Sequence, residues 1–279
     1  MKLGQILAIN YLRARLNLLA VISKKRAAQQ AYKIFCTPFY RNRKEAPPIF
    51  NRGTPISLRV KGNTVNGFKW NSGGSKRVLI LHGFESSCKN FADYIEALIE
   101  KGYEVLAFDA PGHGISGGRQ ITLPLYIEMI TAVYFNVGII QSFMAHSFGG
   151  LAVTHFIEKI PHANCRVALI APLTETKTAI GSFFRFLQLN EAVRAEFEKI
   201  IQAKGGAPSS HFSIPRALQH IQAPILWAHD KDDEVTPLKD VEPVRTANYP
   251  NVSFLITEGL GHKKIYRNKK VIQAVVDFL

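Results

Sequence analysis

Six runs of mainly apolar residues follow one another along the chain from residue 76 onward. Within each run the apolar residues are continuous and do not alternate with polar ones, a pattern typical of strands buried on both faces. We predict strands at 77–82, 103–109, 139–145, 166–171, 224–228 and 252–257. Amphipathic helical stretches fall between these runs, near 89–101, 123–133, 148–159, 238–247 and 268–279. This alternation predicts an α/β fold with a mostly parallel central sheet flanked by helices on both faces.

Two shorter segments precede these runs and have a different pattern. Residues 56–60 and 65–70 are separated by Gly62-Asn63, a pair that favours a tight turn between antiparallel strands. We therefore predict a hairpin that adds antiparallel strands at one edge of the sheet.

One interval between predicted strands is too long for a single crossover. Residues 173–222 contain a helical stretch at 190–204, with Asn190 as its cap and Gly205-Gly206 as its stop. We predict an inserted helical lid. Its aromatic side chains either fasten the lid to the core or line an apolar substrate pocket, and the candidates for the pocket are Phe183, Phe184, Phe186 and Phe197.

The N-terminal segment, residues 1–48, is predicted to be a basic helical extension of a main domain at 49–279. Basic and small residues lie on a face next to a row of leucines. The leucines recur at helical spacing and are Leu3, Leu7, Leu12, Leu16 and Leu19. A second helical stretch, 24–35, ends before Thr37-Pro38 because a residue that precedes proline is disfavoured in the helical region. Two interpretations stay open. The apolar face packs on the domain, or residues 1–35 contact an anionic membrane surface or a partner.

The net charge of +14 raises the question of a polyanionic partner. Residues 1–70 hold fourteen Lys or Arg and one acid, a net +13, and the remaining residues are almost balanced at +1. The main domain is therefore not basic, and we expect no nucleic-acid binding. An apolar fraction of 47% excludes a disordered chain.

Other features bear on the cellular compartment. We find no cleavable signal peptide and no stretch long and apolar enough to cross a bilayer. The three cysteines, Cys36, Cys88 and Cys165, are odd in number and lack a CxxC spacing, so neither a disulfide framework nor a zinc site is expected. We predict a reduced cytoplasmic protein, and peripheral contact with the membrane stays open as one interpretation of residues 1–35. The glycine-rich segment 112–118 lacks the lysine that a phosphate-binding loop requires, so we do not interpret it as one.

The segment from Met144 to Gly150 lies where an apolar run passes into a helical stretch. Ser147 stands at its centre, with the small residues Ala145 and Gly149 two positions before and after it. A sharp strand-to-helix turn needs such small residues, and it lifts the serine hydroxyl above the sheet beside the helix N-terminus. The segment therefore fits a nucleophile elbow.

Three segments together resemble the α/β-hydrolase family of esterase- and lipase-like serine hydrolases, over about residues 50–279. They are LHGFESS at 81–87, FDAPGHGISGG at 108–118 and AHSFGG at 145–150. The resemblance implies that Ser147 is the nucleophile and that the backbone N–H groups of Phe84 and Phe148 form the oxyanion hole. Asp109, His113 and Ser116 match positions that are usually structural.

A serine needs a base to take its proton, and the base needs an acid that orients it. His262 directly follows the last predicted strand, where the family places its base. The family's D-x-x-x-P spacing before Pro237 selects Asp233 as the acid, with Asp230 and Asp232 as alternatives. His146 is expected to pack beside the nucleophile.

These residues predict a serine hydrolase that cleaves a carboxylic ester or thioester of a small molecule through an acyl-enzyme. No cofactor or metal is needed for that chemistry. A serine at the elbow argues against dehalogenase and epoxide hydrolase chemistry, because those family members use a carboxylate there. Three alternatives stay open: a carbon–carbon bond hydrolase, an acyltransferase, and a binding module of this fold without catalysis. Cys88 lacks a neighbouring base and is expected to be a buried thiol.

Overall fold

The computed structural model describes residues 3–42 and 45–279 and contains two compact units. The helical unit consists of the chain up to Thr37 together with Glu175–Phe212, and the sheet unit consists of Pro38–Thr174 together with Ser213–Leu279. The predicted division kept the N-terminal extension and the insertion apart, whereas the structure groups most of both in one unit.

The sheet unit is built on an eight-stranded sheet with the order β1-β2-β4-β3-β5-β6-β7-β8. The pairs β1–β2 and β2–β4 are antiparallel and the other pairs are parallel, which confirms the predicted mostly parallel sheet with an antiparallel edge. The strands are β1 (Thr54–Val60), β2 (Asn63–Trp70), β3 (Lys76–Leu81), β4 (Tyr103–Phe108), β5 (Ser142–His146), β6 (Arg166–Ile170), β7 (Ile225–Asp230) and β8 (Val252–Thr257).

Helices connect the strands within the sheet unit, and further helices form the helical unit. They are α1 (Leu3–Ile22), α2 (Lys24–Phe35), α3 (Ala92–Glu100), α4 (Leu123–Val137), α5 (Phe148–Ile157), α6 (Thr176–Leu187), α7 (Glu191–Gly205), α8 (Ile214–Leu218), α9 (Glu242–Ala247), α10 (Gly261–Lys264) and α11 (Lys269–Phe278). Every residue of β4, β5 and β7 is buried, as expected for strands covered on both faces. The loops that follow β3, β5, β7 and β8 leave the carboxyl ends of these parallel strands, where α/β folds place their ligands.

The fifth strand starts later than predicted, at Ser142 instead of residue 139. Gly138, with φ 85°, ends α4, and the side chain of Ile139 is exposed. The Arg77 guanidinium donates to the carbonyl oxygens of Val137 and Ile139. These bonds hold residues 137–139 in a turn. The apolar pattern therefore predicted a strand start three residues too early.

The stretch predicted as one helix at 238–247 is interrupted. Leu238–Asp240 forms a 3-10 turn and α9 begins at Glu242. Pro243 lies in the first turn of α9 and has no N–H to donate to the carbonyl of Lys239. A continuous helix is therefore not formed.

The helical unit contains α1, α2, α6 and α7. The predicted Asn190 cap is present, since its side chain accepts a hydrogen bond from the Val193 N–H, and Gly206 ends α7 in the left-handed conformation. The sequence analysis did not predict α6, because Glu175 at its start makes no side-chain capping bond and the helix contains Gly181 and two threonines.

Aromatic rings hold this unit together. The fully buried Phe197 of α7 contacts the rings of Tyr32 and Phe35 from α2 and those of Phe183 and Phe184 from α6. Such ring pairs stabilise the folded state beyond the free energy gained by burying the rings. They explain why segments 150 residues apart in the chain form one unit, which the local sequence pattern could not show.

Helix α1 differs from the single apolar face predicted for it. Leu16 and Ala20 are buried, whereas Leu7, which was assigned to the same face, is exposed and lies on the opposite side. The side chain of Leu3 lies outside the described residues. Within the described part of the chain, no helix combines the length and hydropathy that crossing a bilayer requires.

Candidate active site

Ser147 occupies the sharp turn between β5 and α5. Its backbone has φ 53° and ψ −121°, a conformation that residues other than glycine rarely adopt. The turn is fastened on both sides of the residue: the Ser147 N–H donates to the carbonyl oxygen of Ile170 (3.1 Å), and its carbonyl accepts from the Leu173 N–H (2.9 Å). The surrounding backbone therefore fixes the position of the hydroxyl.

The small residues of the elbow are required by the space around it. A Cβ atom on Gly149 would lie 2.7 Å from the carbonyl oxygen of His82, and one on Gly150 would lie 2.6 Å from Cβ of Pro172. Ala145 is fully buried in β5. The loop after β3 and the residues after β6 thus pass directly beside the start of α5.

His262 lies in the short helix α10, which follows β8. Its Nε2 atom is 3.0 Å from the Oγ of Ser147. Its Nδ1 atom is 2.8 Å from Oδ2 of Asp233. The structure therefore brings together the predicted nucleophile, base and acid in one chain of hydrogen bonds, although the three residues are far apart in the sequence.

Asp233 is a buried carboxylate with several donors around it. Besides the contact with His262, it accepts hydrogen bonds from the N–H groups of Val235 and Thr236 and from the Thr236 hydroxyl. Burial by itself raises the pKa of Asp233, but the hydrogen bond and charge of His262 and the Thr236 donors outweigh it, so the pKa lies below its ordinary value. Asp233 is therefore held as a carboxylate.

The two alternative acids have other partners. Asp230 accepts hydrogen bonds from the backbone N–H groups of Asp232, Leu260 and Gly261 and from the Thr257 hydroxyl. Asp232 accepts from the Gly259 N–H. Both carboxylates bind the segment that leads into α10, and so they fasten the loop that carries His262.

The loop after β3 passes close to Ser147. A Cβ atom on Gly83 would lie 2.8 Å from Cβ of Ser147 and 3.3 Å from its Oγ. Phe84 is the next residue, and Phe148 is the first residue of α5, where helix N–H groups have no partner within the helix. Both residues expected to form the oxyanion hole thus border the serine.

The side chain of His113 binds the backbone of the loop that follows β3. Its Nε2 accepts a hydrogen bond from the Glu85 N–H (3.0 Å), and Glu85 has a left-handed backbone with φ 54°. Burial and the neighbouring His82 lower the pKa of His113 to about 3. The ring is therefore neutral near pH 7, so Nε2 can accept while Nδ1 donates to the Pro111 carbonyl.

We expect Gly83→Ala to reduce kcat for a soluble ester roughly 100-fold, with a small change in KM. The added methyl group has no room beside Ser147, so the loop must move and the Phe84 N–H moves with it. Steady-state kinetics measure the effect. Gly4→Ala is the matched control, because nothing lies within 4 Å of its new Cβ atom. Activity of Gly83→Ala equal to that of the control would show that the loop position does not matter.

The residues assigned structural roles from the resemblance bind backbone groups. Asp109 accepts from the N–H groups of Cys88 and Ile115, and the Ser116 hydroxyl donates to the Asp109 carbonyl. Cys88 is buried, and burial together with the Asp109 charge raises the pKa of its thiol. This network connects the loops that follow β3 and β4.

His146 packs at the elbow, as expected, beside His262. Its ring centroid lies 4.8 Å from that of His262 and 4.6 Å from that of Tyr266. Its Nε2 is 3.2 Å from the carbonyl oxygen of His262. Burial and the nearby His262 lower the pKa of His146 to about 3, so its ring is neutral and donates to the backbone carbonyl of His262.

Thr236 is a site residue that the sequence analysis missed. Its hydroxyl is 2.8 Å from Oδ2 of Asp233 and 3.2 Å from Nδ1 of His262, and its carbonyl accepts from Nε2 of the buried His229. A weak sequence signal exists: aspartate favours turns, because its side chain accepts hydrogen bonds from backbone N–H groups that follow it. The structure adds that this turn aims Asp233 at His262.

The four phenylalanines proposed for a substrate pocket belong to the helical unit. Phe184 and Phe197 are buried within the ring cluster, Phe183 is half-buried at its side, and Phe186 is exposed, with the Arg13 guanidinium 5.4 Å from the ring centroid. Contact of these rings with a substrate stays a prediction. In the described residues, no three His, Cys, Asp or Glu side chains are grouped as ligands for a metal ion.

The sheet order, the serine elbow and the groups hydrogen-bonded to Ser147 define an α/β-hydrolase. Residues 74–213 match the family model described as serine aminopeptidase, S33 (Hydrolase_4). The match covers half of the chain, and the chain belongs to this family.

Known proteins agree with this assignment. An esterase from Pyrococcus furiosus has the same fold, with a TM-score of 0.66 and 21% identity, covering 88% of this chain and 97% of the esterase. Est1E from Butyrivibrio proteoclasticus, solved with ferulic acid bound, has a TM-score of 0.61 and 19% identity, covering 80% of this chain and 97% of its own. Human serine hydrolase-like protein 2 is 24% identical over 172 residues, a match that covers 60% of this chain and 53% of the human protein. The chain thus spans about half the length of that relative.

Proposed function

We propose that the protein hydrolyses carboxylic esters or thioesters of small molecules through an acyl-enzyme on Ser147. One observation carries this proposal: Ser147 Oγ, the two ring nitrogens of His262 and Asp233 Oδ2 form a continuous chain with distances of 3.0 and 2.8 Å. Both distances suit proton transfer and orientation of the base.

The tautomer of His262 follows from its two hydrogen-bond partners. The Asp233 carboxylate accepts the Nδ1–H of His262, which leaves the Nε2 lone pair free to take the Ser147 proton. As the imidazolium forms, the buried negative charge of Asp233 stabilises it. The hydrogen bond to Asp233 therefore favours the tautomer that a general base needs.

In the first half-reaction, Ser147 Oγ attacks the carbonyl carbon and its proton passes to Nε2 of His262. The carbonyl oxygen becomes an oxyanion, which the N–H groups of Phe84 and Phe148 stabilise. The tetrahedral intermediate collapses, the bond to the alcohol or thiol breaks, and His262 returns the proton to that leaving group. The products are an acyl-Ser147 ester and a free alcohol or thiol.

In the second half-reaction, water replaces the alcohol. His262 takes a proton from the water as it attacks the acyl-Ser147 carbonyl, and the same N–H groups stabilise the second oxyanion. Collapse releases the carboxylic acid and returns the proton to Ser147. No cofactor enters either half-reaction.

The surroundings of the serine favour an apolar acyl group. Phe84 is partly exposed, and its ring packs edge-on against those of His113 and Phe148. The Pyrococcus protein is an esterase, and Est1E binds ferulic acid, a carboxylic acid. We extend ester substrates to this chain.

A substrate series tests this proposal. We expect turnover of nitrophenyl esters that varies with acyl length, and turnover of a matched thioester. Preferential cleavage of a vinylogous diketone would instead indicate a carbon–carbon bond hydrolase, and product formation only with an added alcohol would indicate an acyltransferase. A folded protein that turns over none of these compounds would contradict the proposal and favour a binding module.

A further inference from the structure

Helix α1 presents a stripe of apolar side chains to solvent. Its members are 61–85% exposed and recur at helical spacing: Leu7, Tyr11, Leu18, Val21 and Ile22. Ala14, between them on the same face, is exposed as well. We call these residues the α1 stripe. Single exposed apolar residues are common on proteins, but a row along one helix face marks an interaction surface.

Packing within the helical unit does not account for this stripe. The opposite face of α1 holds the buried Leu16 and Ala20, and Arg13 of α1 donates to the carbonyl oxygen of Phe186 in α6. Helix α1 is therefore already fixed in its unit by one face, and the α1 stripe is a second apolar face.

Basic residues border the stripe. Lys24, Lys25 and Arg26 stand at the start of α2, which one residue separates from the end of α1, and are exposed. The sequence has no acidic residue before Glu45. An open groove of about 550 Å³ also lies between α1 and α2. It combines two guanidinium groups with apolar side chains and amides, and its lining residues are Arg15, Leu18, Leu19, Ile22, Arg26, Gln29 and Gln30.

This combination fits lipids with anionic headgroups. A guanidinium group matches the oxygens of a phosphate, and the neighbouring leucine and isoleucine side chains suit the first carbons of an acyl chain. A second copy of this chain fits less well. A two-fold contact would place the same basic residues against each other with no acid from this segment between them.

We propose that the α1 stripe docks on the surface of an anionic lipid bilayer, with α1 lying in the interface plane. Leu18, Val21 and Ile22 enter the boundary between headgroups and acyl chains, and Arg15 and Arg26 bind lipid phosphates. This surface role is separate from the hydrolytic site, and it gives the concentration of positive charge in the N-terminal segment a function.

Vesicle flotation of the full-length chain tests the proposal. We compare phosphatidylcholine vesicles with vesicles that also contain phosphatidylglycerol, and use wild type, Leu18→Ser with Val21→Ser, and Arg15→Gln with Arg26→Gln. Phe135→Ser is the matched control, since Phe135 is equally exposed but lies on α4 of the sheet unit. Circular dichroism and hydrolysis of a soluble ester establish that each variant is folded.

We expect wild type and Phe135→Ser to float with the anionic vesicles, and to float less at high salt. Loss of both arginines should lower the partition coefficient about 30-fold, at roughly fivefold for each charge. Loss of Leu18 and Val21 should lower it about tenfold. The proposal is overturned if wild type does not float with anionic vesicles, or if the α1 variants float as well as Phe135→Ser does. It is also overturned if wild type is a dimer in solution that the α1 variants convert to monomers.

Discussion

Ser147→Ala and His262→Ala are each expected to lower kcat for a turned-over ester by about 10⁵- to 10⁶-fold. The alanine at 147 has no oxygen to attack the carbonyl, and without the imidazole nothing takes the serine proton. Because the two side chains act in one proton transfer, the double variant should be no slower than either single variant. Steady-state kinetics of the three variants measure both the loss and its lack of additivity.

The control for these variants is Ser182→Ala, which removes an exposed hydroxyl in the helical unit. It should retain the wild-type rate. Substantial activity in folded Ser147→Ala would place the nucleophile elsewhere. Losses that multiply in the double variant would mean that Ser147 and His262 act in independent steps.

Asp233→Asn should lower kcat by about 10³- to 10⁴-fold while KM changes little. The asparagine amide group donates where the carboxylate accepted, so it favours the His262 tautomer with a proton on Nε2. That tautomer cannot accept the Ser147 proton. The variant also removes the buried charge that stabilises the imidazolium, whereas the backbone bonds from Val235 and Thr236 to the remaining oxygen can persist.

Asp232→Asn is the matched control for the acid. Asp232 lies one residue away and accepts the Gly259 N–H, which an asparagine oxygen can still do. We expect activity within about threefold of wild type. Equal losses in Asp232→Asn and Asp233→Asn would contradict the assignment of the acid.

The sequence predicted the parts of the fold that depend on short-range pattern. Continuous apolar runs are visible because strands such as β4 and β7 are buried on both faces. The sequence reveals the elbow because there is no room for side chains at Gly149 and Gly150, so glycine is required there. The strand start at Ser142 was not predictable, because the turn before it depends on the side chain of Arg77, more than sixty residues earlier in the chain.

Choosing among the carboxylates after β7 needed the structure. Asp230, Asp232 and Asp233 stand within four residues, and spacing alone distinguishes them only by comparison with a family. The turn at Thr236 aims Asp233 at His262, while Asp230 is turned toward the backbone of Gly261. The direction of a side chain depends on backbone angles that the local sequence pattern does not specify.

The helical unit shows a second limit of the sequence pattern. Helical spacing identified α1, α2 and α7, but the pairing of α2 with α7 depends on contacts between distant segments, such as Tyr32 with Phe197. Apolar residues lie on two opposite sides of α1, and the sequence pattern did not distinguish these two faces. Only burial separates Leu16, inside the unit, from Leu18 on its surface.

The most direct measurement of the central claim is the mass of the protein after reaction with a fluorophosphonate, followed by peptide mapping. Attack of Ser147 on phosphorus forms an oxygen–phosphorus bond and releases fluoride, so one adduct per chain is expected on the peptide that contains Ser147. His262→Ala should remain unlabelled under the same conditions. A folded wild-type protein that stays unlabelled, or that carries the adduct on another residue, would contradict the assignment of Ser147 as an activated nucleophile.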